Sequence, residues 1–136
     1  MLERIIVFAF AFAATLGHLQ ARDVLARCYL DSRWHTESVA AWNPNMVRRL
    51  ADVRRTVSSA AQLARLRTIL RIDRFQPRQP WPDDFCFVAD IRQSDGTVAS
   101  HYAGRFYVIS ADYRRGTRID RTAFRRDIDA FMGVAR

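Results

Sequence analysis

Apolar and polar residues alternate most regularly between Asp84 and Ile109. Phe85, Phe87, Ala89 and Ile91 recur at every second position, and Val98, Tyr102, Phe106 and Val108 keep the same beat on the far side of Ser94-Asp95-Gly96-Thr97. A period of two marks half-buried strands. Asp-Gly between such runs is favoured where both central turn residues take positive φ, as in a type I′ turn. The stretch therefore predicts a hairpin, 84–94 with 97–110, closed by a two-residue loop. That register sets Ser94 against Thr97, Arg92 against Ala99, Asp90 against His101 and Cys86 against Arg105. Phe85, Phe87, Ala89, Ile91, Val98, Tyr102, Phe106 and Val108 then form a core face. Cys86, Val88, Asp90, Arg92, His101, Arg105, Tyr107 and Ile109 form a mixed one. Gly104, opposite Phe87, suits a bulge. A lone hairpin is marginal in water, so a further strand or a helix has to cover the core face.

Elsewhere the pattern is helical. Val24, Leu25, Cys28 and Tyr29 repeat at i, i+4 and predict a short helix over 23–30. Asn43-Pro44 is a helix start, Asn as N-cap and Pro at the first helical position. Met46, Leu50, Val53, Val57 and Ala60 continue it as an apolar stripe, predicting a helix over 44–61. Leu66, Thr68, Leu70 and Ile72 alternate with Arg65, Arg67, Arg71 and Asp73, which favours a strand near 65–73, with a helix continuation as the alternative. Gln76 to Pro82 holds three prolines and reads as a connector, and Tyr113 to Gly116 reads as a turn. Asp120 can cap a last helix, 120–132, with Phe124, Ile128, Phe131 and Met132 inward.

The expected class is α+β: a small antiparallel sheet of three or four strands around the hairpin, covered by helices near 23–30, 44–61 and 120–132. In outline it resembles cystatin-like and NTF2-like architectures. No motif ties the chain to either.

The N-terminus changes the expected compartment. Ile5 to Gly17 is uncharged and apolar apart from Thr15, after a single Arg, and Leu19-Gln20-Ala21 is an acceptable cleavage tripeptide. This run is shorter than the roughly 20 residues a membrane span needs and suits a signal peptide over 1–21. Residues 22–136 then form one α+β domain, periplasmic or secreted; an uncleaved anchor in the inner membrane is the alternative. In an oxidising compartment the two cysteines, Cys28 and Cys86, most simply form one disulfide; a catalytic thiol has no flanking motif to support it.

Chemistry is sparse. The chain lacks a Gly-rich phosphate loop, a His-Glu-x-x-His, a Gly-x-Ser-x-Gly and a Cys-x-x-Cys. Beyond the export segment only His35 and His101 remain as imidazoles, too few for a zinc site, and no cofactor is expected. The one catalytic candidate is Asp90 with His101, opposite each other in the expected register; a carboxylate beside an imidazole orients it as a general base. With no nucleophile or metal beside them, an ordinary cross-strand polar pair is the preferred reading of the two residues.

Charge says more. All 22 basic residues are Arg, and the net charge is +8. Pro44 to Pro80 holds nine Arg and two Asp, a net of +7, whereas from Trp81 onward nine Arg nearly cancel eight Asp. Arg48, Arg49, Arg55, Arg65, Arg67 and Arg71, with Arg92 and Arg105 from the hairpin, are the expected binding residues. A concentrated basic surface calls for an anionic partner. For an exported protein that is an acidic protein or an anionic envelope component; nucleic acid is disfavoured by the export signal and by the lack of an aromatic stacking platform beside the arginines. The expected function is a small non-catalytic binding protein, of inhibitor or immunity type. The alternatives are an anchored accessory subunit of an envelope secretion or conjugation system, and a small hydrolase or ligand-binding domain using Asp90 and His101.

Overall fold

The computed structural model describes residues 21–33, 43–77 and 84–134. The expected export segment (Ala21 apart), the loop carrying Trp34, His35 and Trp42, and the connector from Arg78 to Asp83 with Trp81 lie outside the described residues. In chain order the elements are β1 (Asp23–Leu30), α1 (Pro44–Leu50), β2 (Val53–Val57), α2 (Ala60–Leu70), a 3-10 turn (Ile72–Arg74), β3 (Gln76–Pro77), β4 (Phe87–Gln93), β5 (Val98–Ala103), β6 (Tyr107–Ser110), β7 (Arg115–Arg118) and α3 (Arg121–Met132). The strands form one antiparallel sheet in the order β2-β1-β4-β5-β6-β7-β3. The α+β character stands, but the sheet has seven strands rather than three or four.

Helices α2 and α3 cover one face. Leu63, Leu66 and Leu70 of α2, with Phe124, Ile128, Phe131 and Met132 of α3, pack on Ala26, Leu30, Phe87, Ala89, Ile91 and Val108. Ser59 caps α2 by accepting from Gln62 N, and Asp120 caps α3 by accepting from Thr122 N and Ala123 N. The short α1, capped by Asn43, covers part of the other face; its Val47 sits on Val88, Tyr102 and Ile109, beside Phe85. Phe85, Tyr102 and Tyr113 meet at centroid distances of 5.6 to 6.2 Å.

Three elements differ from the sequence expectation for one shared reason: a spacing of four residues satisfies a helical period and a strand period alike. Residues 23–30 are a strand, not a helix, in the interior of the sheet between β2 and β4. Ala26, Cys28 and Leu30 face α2 and α3, while Leu25, Arg27 and Tyr29 face the other way. The helix expected over 44–61 stops at Leu50, and Val53 and Val57 belong to β2. Arg55 occupies the inward position between them, its guanidinium over the Phe131 ring and donating to the Phe131 carbonyl at the end of α3. Its apolar stem spans the layer and the charge ends on a helix carbonyl terminus, so an Arg serves where an apolar residue was anticipated. The strand expected near 65–73 is the second half of α2, which ends at Arg71 in the left-handed conformation (φ 54°) in place of the usual Gly.

The hairpin exists, with its register one residue away from expectation. Gln93 N donates to Thr97 O at 2.8 Å and Gly96 N to Gln93 O at 2.9 Å, so the loop has three residues, Ser94-Asp95-Gly96. Only Gly96 takes positive φ (88°). The Asp95 carboxylate accepts from Thr97 N at 2.9 Å and from its hydroxyl at 2.6 Å, which holds Asp95 out of the positive-φ conformation a type I′ turn requires. Arg92 therefore faces Val98, Asp90 faces Ser100 and Ala89 faces His101. The returning run also breaks in two at Gly104, whose N–H donates to Tyr107 O at 3.0 Å. Phe106 lies in that turn and, like Val98, is exposed rather than core.

Candidate binding surface

Because side chains alternate across the sheet, pairing partners line up in rows on the α1 face. One row runs Arg54, Tyr29, Val88, Tyr102, Ile109; the next runs Thr56, Arg27, Asp90, Ser100; the last runs Leu25, Arg92, Val98. Helix α1 lies over the first row and supplies Arg48. Arg48 Nε donates to Asp90 Oδ2 at 3.0 Å, Nη2 to Asp90 Oδ1 at 2.7 Å and Nη1 to Asn45 Oδ1 at 2.9 Å. The guanidinium also stands 5.6 Å from the Tyr102 ring centroid. Ser100 Oγ donates to Asp90 Oδ1 at 2.6 Å. Hydrogen bonding to Asp90 raises the pKa of Arg48 further above the usual arginine range.

Asp90 is thus occupied by its own chain. Beside it lies an open groove of about 390 Å³ lined by Leu25, Arg27, Tyr29, Asp90, Arg92 and Val98. Arg27 and Arg92 are exposed on its walls, and neither forms an ion pair with a described residue. Arg54 extends the basic surface on the β2 side, 5.5 Å from the Tyr29 ring centroid. Charge and aromatic area therefore sit together on an open sheet face, where guanidinium groups and a tyrosine ring are both accessible.

The Asp90–His101 pairing does not form. His101 faces Ala89 and so lies on the α2–α3 side, one residue out of phase with Asp90 and across the sheet from it. Its imidazole is buried, edge-on to Phe75 at 5.7 Å. Burial first, and then the positive field of Arg67, lower its pKa from 6.5 to about 4, with Asp23 and Asp90 pulling weakly the other way. It is a neutral core residue. No disulfide joins Cys28 and Cys86, and both are buried. Cys28 pairs with Ala89, whereas Cys86 lies beyond the Leu30–Phe87 pair, some three residue steps or about 10 Å away, too far for a disulfide. Cys86 Sγ donates to Ala103 O at 3.3 Å. Burial pushes the Cys28 thiol up to about 12, the opposite of an activated nucleophile.

The other expected binding arginines disperse. Arg67 is tied to Asp23 at the start of β1. Arg65 lies over Phe131 at 5.8 Å, on the far side of the sheet from the groove. Arg49 is exposed on α1, and its carbonyl accepts from Arg54 Nη2 at 3.1 Å. Arg71 ends α2 and lines a cavity of about 470 Å³ that also holds Arg67, Arg74, Asp73 and Asp127, a mixed-sign surface. Arg105 is half-buried in the turn between β5 and β6. Of the expected set, Arg92 lines the groove and Arg48 anchors its Asp90 carboxylate. Arg27, Tyr29 and Arg54 lie outside the expected binding set, although Leu25, Arg27 and Tyr29 recur at every second position. Among the described residues no cluster of His, Cys, Asp and Glu could hold a metal ion. None of their helices is long and apolar enough to cross a membrane. No family model, curated protein or solved structure matches the chain.

Proposed function

We propose that the chain is a non-catalytic binding protein, exported to the cell envelope or beyond, that holds an acidic partner against the α1 face of its sheet. The observation that carries this reading is the state of Asp90. The only carboxylate among the described residues lining the groove is held on both oxygens by Arg48 and Ser100. Arg27 and Arg92 beside it are therefore left for a carboxylate from outside. Guanidinium groups recognise carboxylates bidentately, and Tyr29, Leu25 and Val98 add apolar area on which a partner can pack. The apolar run from Ile5 to Gly17 supports export. An inhibitor or immunity role fits a small sheet that presents Arg27, Arg54 and Arg92 on one open face. The test compares wild type with Arg27→Glu/Arg92→Glu in capture from envelope extract. A partner retained by wild type, lost with the double variant and released by raised salt is the expected result. Equal retention by both proteins at every salt concentration sinks the reading.

A further inference from the structure

The two edges of the sheet are unequal. At one end β3 is two residues long and finishes at Pro77, which has no N–H to offer. At the other, β2 presents five residues, Val53-Arg54-Arg55-Thr56-Val57. They pair with β1 in an unbroken register from Ala26–Val57 to Leu30–Val53. No other backbone segment hydrogen-bonds to them among the described residues. Such an edge carries a row of outward N–H and C=O groups, a template for another strand. Proline and bulges are absent from β2, and its one inward charge, Arg55, is engaged with the Phe131 carbonyl and ring.

We propose that β2 receives an extended acidic segment of a partner protein as an eighth strand. This rests on the reading that the partner is acidic, and it adds how that partner is held. Alternate residues of the incoming segment have different neighbours. On the α1 face they lie beside Arg54 and Thr56, one strand from Arg27 and the groove; on the other face they lie beside Val53 and Val57, with Arg55 turned inward to Phe131. Opposite charges across a strand pair are favourable and like charges are not. The segment that fits alternates acidic with apolar residues. A second copy of the chain fits poorly: the antiparallel register that pairs all five residues sets Arg55 against Arg55.

Hydrogen exchange of the full chain, with and without a blocked peptide of alternating Glu and Val, tests the proposal; a Lys and Val peptide is the control. The Glu-Val peptide is expected to slow exchange of alternate β2 amides, and the control peptide is not. Arg54→Glu weakens Glu-Val binding by about ten-fold or more. Because Arg54 is exposed, this variant unfolds at nearly the wild-type denaturant concentration, and Arg54→Ala gives a smaller loss in the same direction. Absence of Glu-Val binding at low salt overturns the edge proposal. So does binding that protects β4 and β5 amides, leaves β2 unchanged and disappears with Arg27→Glu/Arg92→Glu; in that outcome the acidic-partner reading survives.

Discussion

The two faces of the sheet, built from the same strands, solve different problems. On the α2–α3 side two helices close over Phe87, Ile91 and Leu30, and the one titratable group from β4 or β5 there, His101, is held neutral. On the α1 side a seven-residue helix covers a smaller cluster around Val88 and Tyr102, and the strand ends beyond it carry Arg27, Asp90 and Arg92. One face is closed by packing, and the other is the face to which we assign the proposed partner. The difference lies in alternation: neighbouring residues such as Phe87 and Val88, both fully buried, belong to separate clusters.

The largest test of this division compares these neighbours. Phe87→Ala opens a cavity under α2 and α3 and is expected to cost about 3–5 kcal/mol. Val88→Ala removes less volume from the smaller cluster and costs about 1–3 kcal/mol. Urea unfolding of both variants measures the gap. Equal losses would mean that the α1 face shares the packing load, and the assignment of roles to the faces would fail.

How far this division could be read from the chain depended on small features. The last helix was legible, since Asp120 and the spacing of Phe124, Ile128, Phe131 and Met132 admit no strand. The Asn43-Pro44 start was legible for the same kind of reason. The inner residues of β1 were obscured because Ala26 and Cys28 are small, and β2 because Arg55 interrupts its apolar positions. The hairpin was visible but its register was not. A carboxylate bonding to Thr97 adds one residue to the loop, and one residue carries all of β5 to the opposite face. The candidate site depended on that step, which separates Asp90 from His101 and leaves Asp90 with Ser100 and Arg48.

The neutral imidazole on the closed face gives the next test. Its folded pKa, about 4, lies below the ordinary 6.5. Above 6.5 His101 is neutral folded or unfolded and contributes no pH dependence. Below 6.5 the unfolded chain takes up a proton that the folded chain refuses, so stability falls until the pH reaches about 4. That gap corresponds to a loss of about 3 kcal/mol. Asp52 and Asp112, whose pKa values are lowered from 3.8, lose their contributions further into acid and leave this window to the histidine. Unfolding free energy measured from pH 7 to pH 4 is expected to fall for wild type and to flatten in His101→Leu. An unchanged slope in the variant would put the imidazole in contact with water.

The smallest of these effects probes the open face. Arg48 and Asp90 are each mostly but not fully covered, with 27% and 20% of their side chains exposed. Removing Arg48 leaves Asp90 with Ser100 alone, a partly desolvated charge short of its main partner, so Arg48→Ala is expected to cost about 1–3 kcal/mol. Asp90→Ala strands Arg48 less severely, because its guanidinium keeps Asn45 and the Tyr102 ring. The double variant removes both charges together, and its loss should fall short of the sum by about 0.5–3 kcal/mol. Urea unfolding of the four proteins closes the cycle. Additive losses would mean that Arg48 does not occupy Asp90 in solution, and Asp90 would then be available to neutralise Arg27, which would remove the reason for assigning an acidic partner to this face.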